Sequence, residues 1–223
     1  MSPDERDLLL IRQYIYNVLQ IVFGQSPKEQ VLLALFSEES LQTLSALVDD
    51  PESSYGRAVA EFEAAKSTYL EPEDAEALIN TLNIEYTRLF VGPGNLPAPP
   101  WEMVYQTGRR ELFQHGVLEL REIYRSVGCE PAEAPHVSDD HLGIELDFMR
   151  FLCEKTLLAL EQDDKDATEN LMSVQKMFLE KHLLVWVPKF LADFEPAAKE
   201  PLYIASSKLL GAFIELDANS LTM

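Results

Sequence analysis

The sequence predicts an all-α fold, one helical bundle of roughly eight to ten helices spanning residues 1–223. Three observations predict it. Apolar residues recur at helical spacing, as in Leu78, Leu82, Tyr86, Leu89 and Phe90. No segment sustains the period-two alternation of a half-buried strand. Helix-start signals recur, with proline in the first-turn position.

Taken in order, Ser2-Pro3-Asp4-Glu5 and Ser26-Pro27-Lys28-Glu29 both read as capping boxes. The helices they open run to about Gly24 and about Phe36. Further helices are expected near 38–48 and 52–69, and Pro72 opens the helix that carries the Leu78–Phe90 stripe. Phe113, Val117, Leu120, Tyr124 and Val127 repeat in helical steps until Gly128, which is expected to stop the helix because glycine tolerates positive φ. The segment "CEPAEAPHVSD" reads as a linker, with a hinge near 129–139, since Pro131 and Pro135 interrupt any helix. From Asp140 to about Leu160 the chain is apolar almost all round, the pattern of a central buried helix. Two more helices are expected near 166–182 and 199–217. Between them lies "LLVWVPKFLADF", with a bend at Val187-Pro188 because a residue before proline disfavours helical backbone.

A chain of 223 residues with 47% apolar and 25% charged side chains has ordinary globular composition. Its 18 basic and 38 acidic residues leave a net charge of −20. That excludes the cationic footprint of nucleic-acid binding and fits either a solubilising surface or attraction of a basic partner. Cys129 and Cys153 match no zinc or redox spacing. The acidic start, Asp4, Glu5 and Asp7, is unlike a secretory signal, and no run of about 18 uncharged apolar residues exists. The expectation is a cytoplasmic protein without a membrane span.

Two stretches carry chemical potential. "EYTRLFVGPGNLPAPPWEMVY", Glu85 to Tyr105, passes from a helix end into a loop rich in proline and glycine. Each proline fixes φ and removes a donor, so the loop is stiff, and Gly92 and Gly94 permit positive φ. Phe90 and Trp101 frame it as apolar walls, or else plug the core of a plain connection. The segment lacks the spacing and lysine of a Walker A loop. In "SDDHLGIELDF", Ser138 is positioned to cap, with Asp139 and Asp140 in the first turn, where the helix dipole favours anions. His141 and Glu145 are four apart on one face, but no third ligand accompanies them. His182, in "EKHLLVW", reads as a satisfied core histidine.

Together, "YTRLFVGPGNLPAPPWEMVY", "DDHLGIELDFM" and "HLLVWVPKFLADF" resemble, in order and spacing, the TorD/DmsD family of cytoplasmic maturation chaperones for exported molybdoenzymes, related more distantly to the NarJ group. The resemblance spans residue 8 to about 217. Met103 stands where relatives often have serine, and Ser138 where they usually have proline. The resemblance implies an all-helical, non-enzymatic chaperone with no cofactor. Its partners would be the twin-arginine signal peptide and apo-form of a molybdopterin oxidoreductase of the DMSO/TMAO reductase type. A monomer and a dimer exchanging domains across the hinge both remain open. Carried over, the peptide site falls on Tyr86, Leu89, Phe90, Gly92, Pro93, Pro97, Pro100 and Trp101, with Asp140 and His141 from the second block. Glu102, Asp140 and Glu145 are carboxylates suited to taking arginine in a bidentate fork. The alternative is a metal-assisted or acid–base enzyme using Asp140, His141 and Glu145.

Overall fold

The structure is a computed structural model that describes residues 4–70, 74–108, 115–129 and 138–221. Within them the chain is helical, and the one extended pairing among the described residues is an isolated antiparallel bridge between Trp101 and His141. The helices are α1 (Glu5–Gly24), α2 (Glu29–Leu35), α3 (Glu38–Ser45), α4 (Ser54–Tyr69), α5 (Ala75–Tyr86) and α6 (Glu102–Thr107). They continue as α7 (His115–Ser126), α8 (Leu142–Glu161), α9 (Lys165–Phe178), α10 (Leu184–Phe194) and α11 (Pro201–Ser220). A π turn, Thr87–Val91, extends α5, and a second, Leu179–Leu183, joins α9 to α10 as one continuous rod. Counting that rod once, the all-α expectation and its helix number hold. Pro72, Arg109–Phe113 and the linker residues 130–137 lie outside the described residues.

Local chemistry sets the ends, with corrections. α1 is capped by Asp4, whose carboxylate accepts from the Asp7 N–H at 2.8 Å, so the helix starts at Glu5, the last residue of the predicted capping box. α2 starts at Glu29, also the last residue of its predicted box, and Lys28 supplies no side-chain cap. The hydroxyls of Ser37 and Ser53 and the carboxylates of Asp74 and Asp164 cap α3, α4, α5 and α9. Val187 and Pro188 both remain helical inside α10, although a residue before proline disfavours helical backbone. The irregular backbone lies a turn earlier, in the second π turn, next to where Pro188 leaves the helix ladder short of a donor.

One continuous apolar core runs from Leu9 in α1 to Ile214 in α11. α8 is its axis, as its all-round apolar sequence predicts: α1 packs along it on one side and α9 on another, while α11 packs against α4. Phe23, Phe90, Phe190 and Phe194 meet edge-on or tilted at centroid distances of 5.1–6.3 Å. Each such ring contributes roughly 1.5–3 kcal/mol by burial. No helix among the described residues is long and apolar enough to cross a membrane.

Candidate functional site

The proline loop is rooted before it begins. Arg88 in the first π turn bonds Glu85 and donates to the Ala197 carbonyl at 2.6 Å, while Glu85 accepts from the Lys199 N–H at 2.8 Å. These bonds hold the end of α5 to the α10–α11 connection. Glu85 lies below its usual carboxylate range: burial opposes ionisation, but the bonds from Arg88 and the Lys199 N–H outweigh it. Gly92 then turns the chain at φ 94°, a conformation that favours glycine.

Beyond that turn the loop is stitched to the start of α8. The Glu102 N–H donates to the Asp140 carbonyl at 3.0 Å, and the Leu142 N–H donates to the Pro100 carbonyl at 2.9 Å. The two sequence blocks, some forty residues apart, therefore form one structure.

Asp139, Asp140 and His141 each serve a different helix. Asp139 accepts from Arg121 of α7 at 2.6 Å, and its carbonyl accepts from the Tyr124 hydroxyl at 3.0 Å. Asp140 Oδ2 accepts from the Met103 N–H at 3.1 Å, capping α6 from across the stitch. His141 caps α8 itself, its Nδ1 accepting from the Gly143 N–H at 3.0 Å. This corrects the sequence reading: Ser138 is not the cap, and Asp139 and Asp140 precede the first turn of α8. Desolvation lowers the His141 pKa to about 4, so the ring is a neutral acceptor.

The stitch sits where α1 and α8 nearly touch. A Cβ on Gly143 would meet the Gly24 Cα at 2.8 Å, closer than real contacts permit. Gly143→Ala is therefore expected to cost about 1–3 kcal/mol of stability through overpacking. Urea denaturation checks this, and an unchanged midpoint would show that the helices part freely here.

Beneath the stitch lies a second polar cluster. Glu102, fully buried, faces His182 Nδ1 at 2.9 and 3.2 Å and accepts from Gln106 at 2.6 Å. His182 is thus a satisfied histidine, as read. Glu145, also fully buried, accepts from the Trp186 indole N–H at 2.9 Å, and burial with the nearby Glu102 charge raises its pKa well above the usual range. His182 and Trp186 come from the second π turn and α10, so one rod grips both carboxyls.

On the outer side, the loop encloses a surface pocket of about 220 Å³. Its apolar lining is Val91, Leu96, Pro99, Trp101 and Val104, with Gly94 and Asn95. Trp101 is half-buried and meets the His141 ring edge-on at 6.1 Å. Several buried polar atoms here have no hydrogen-bond partner: Trp101 Nε1, Ser138 Oγ, Asp140 Oδ1 and Glu145 Oε1.

The predicted site residues therefore divide. Trp101, Asp140 and His141 converge at the stitch, with Pro100 in its backbone bonding. Gly92 turns the loop, Pro93 is exposed and Pro97 half-buried. Tyr86, Leu89 and Phe90 are buried, and Phe90 packs among Phe23, Tyr86, Phe194 and Tyr203. Phe90 is thus a core plug, and only Trp101 of the framing pair walls the pocket. Glu102 and Glu145 face no solvent in this arrangement, so neither presents an open fork for arginine. Asp140, His141 and Glu145 turn to different partners, and among the described residues no group of three or more His, Cys, Asp or Glu could hold a metal ion. The metal-assisted form of the enzyme alternative thus finds no ligand group among the described residues. Sequence reasoning missed Val91, Leu96, Pro99 and Val104 as pocket walls; their only signal was apolar type within the proline loop.

Comparison with known proteins shows what the chain is similar to. The family model described as nitrate reductase delta subunit matches residues 49–192, over half the chain. The chain is 28% identical over 211 residues to chaperone protein TorD of Vibrio cholerae, covering 94% of this chain and 91% of that protein. It is 29% identical over 193 residues to the Tat proofreading chaperone DmsD of Salmonella typhi, covering 86% and 82%. Over a shorter stretch of 84 residues it is 39% identical to chaperone protein TorD of Aeromonas salmonicida, covering 38% of each. With a family-model match over more than half its length and TorD and DmsD chaperones among its relatives, the chain belongs to the nitrate reductase delta subunit family, within the TorD/DmsD group.

Proposed function

We propose that this protein is a maturation chaperone that binds the twin-arginine signal peptide of a molybdopterin-containing oxidoreductase in the cytoplasm, before export. Family membership and the names of its relatives support the general role. The observation that carries the peptide reading is the Trp101 pocket, which abuts the Asp140–His141 stitch. Its volume of about 220 Å³ falls below the ~300–1,000 Å³ of sites that enclose a whole small molecule, and suits one or two apolar side chains of an extended peptide. Asp140 Oδ1 is buried and unpartnered, so it keeps acceptor capacity for an arginine N–H that enters as the stitch opens to the peptide. The net charge of −20 favours encounter with a doubly cationic leader.

Calorimetry with a synthetic leader tests this. Binding is expected at micromolar concentration, and lysine in place of both arginines should weaken it, since an ammonium lacks the planar fork. Trp101 emission should shift on binding, and a Trp101→Phe variant should lose that shift. Trp101→Ala should weaken binding by about 1–3 kcal/mol, as for an aromatic anchor. Absence of heat and of any emission change with the leader of a co-produced reductase would overturn the reading.

A further inference from the structure

The two carboxyls under the stitch pose a problem in electrostatics. Glu102 and Glu145 are both fully buried, and Asp140, beside them, is only 2% exposed. Glu102 is already committed to His182 and Gln106. Glu145 uses Oε2 to accept from Trp186, while Oε1 has no donor. Glu102 is the strongest charge acting on it, followed by Asp140. An ionised Glu145 would leave a buried oxygen unmatched and put like charges together in a dry space, both costly. One proton removes both faults, because a carboxylic acid donates where a carboxylate only accepts.

We propose that Glu145 carries a proton that it donates to Glu102 and that this carboxyl pair positions the Trp101 wall, so that losing the proton releases the bound leader; the inference rests on the peptide-binding reading above. The pair lies where positioning must act. Glu102 directly follows Trp101 and opens α6, whereas Glu145 lies one turn inside α8 from the His141 cap. The Glu145–Glu102 bond is thus a side-chain rivet parallel to the backbone stitch. The rod supplies His182 and Trp186 to steady each end. Other polar groups around the pair are Gln106 from α6, Asp140 from the stitch and Tyr124 from α7, while α1 meets this end of α8 at Gly24. None of them is a cation fixed beside Glu145. His182 faces Glu102 rather than Glu145 and is 15% exposed, so protons can reach the cluster from its side. When Glu145 ionises, the rivet becomes a repulsion between α6 and α8, and Trp101 moves with α6.

The test uses the full chain and a synthetic twin-arginine leader, from about pH 6 to about pH 9.5. Wild-type affinity is expected to fall on the order of tenfold toward the alkaline end. In the free protein, the Trp101 emission, read as the difference between wild type and Trp101→Phe, should change over the same range. Glu145→Gln still accepts from Trp186 and donates to Glu102 without a titratable proton. It should match wild type at the acid end and show flat affinity and flat emission. Glu102→Gln, with the amide on the other side of the pair, should flatten the profile too and serves if Glu145→Gln fails to fold. Profiles of Glu145→Gln and Glu102→Gln that coincide with wild type would overturn the proposal. If wild type binds no leader at any pH, the peptide reading fails, and the emission titration of wild type against Glu145→Gln still decides whether the pair positions Trp101.

Discussion

Replacing Asp217 by alanine is expected to cost about 3–5 kcal/mol of stability, a large share of the total for a domain of this size. Asp217 on α11 lies in the core against α1, where it is bidentate with Arg12, and its Oδ2 also accepts from the Tyr16 hydroxyl at 2.6 Å. Arg12, Asp217 and Tyr16 are all at most 2% exposed. Burial by itself depresses the Arg12 pKa, but the Asp217 charge and hydrogen bonds more than offset it and hold the guanidinium firmly protonated. Removing the carboxylate leaves that charge with no counterpart in low dielectric. The cost therefore comes from the stranded arginine more than from the lost bond. A double variant, Arg12→Met with Asp217→Leu, should recover most of the loss, because an apolar pair has no charge to strand. Urea denaturation of the single and double variants checks this. A single variant within 1 kcal/mol of wild type would show that water reaches Arg12.

Acidification should destabilise the protein through His141. The folded ring stays neutral to about pH 4, while the unfolded ring takes a proton from about pH 6.5. The stability this contributes is complete above about pH 6.5 and is lost as pH falls through that window to about 4. The shift corresponds to at most roughly 3 kcal/mol. Glu145 acts with the opposite sign. Its raised pKa removes stability as pH rises past the ordinary carboxylate value, so the two partly cancel in the same range. The measurement is therefore a difference, the unfolding free energy of wild type minus that of His141→Asn. Asparagine can cap α8 without titrating. The difference should shrink steadily from pH 7 toward pH 4. A constant difference would mean that His141 titrates alike in the folded and unfolded states.

Secondary structure was legible because it follows from near neighbours in the chain. The spacing of Leu78, Leu82, Tyr86 and Leu89, and the all-round apolar run from Leu142, predict α5 and α8 whatever packs against them. Gly92 and Gly94 do adopt positive φ, and Gly128 does end α7 with φ 72°. The family, too, could be read from three motifs in order. Cap assignments were less secure, because several residues at a helix start can each supply the acceptor. Asp4 caps α1, and His141 rather than Ser138 caps α8.

The sequence by itself determined that the chain is all-α, that its proline loop is stiff, and which family it belongs to. Those follow from local sterics, apolar periodicity and motif order, which need no distant partner. Only the tertiary structure decided that Asp140 caps α6 rather than α8, that Phe90 fills the core while Trp101 walls a pocket, and that Glu102 and Glu145 are buried together. It also paired Arg12 with Asp217, 205 positions apart. A charged or aromatic side chain looks the same in sequence whether it meets water, a ligand or another buried group. Its role depends on the field and the contacts supplied by elements far along the chain, and those exist only after α6, α8 and the α9–α10 rod have packed.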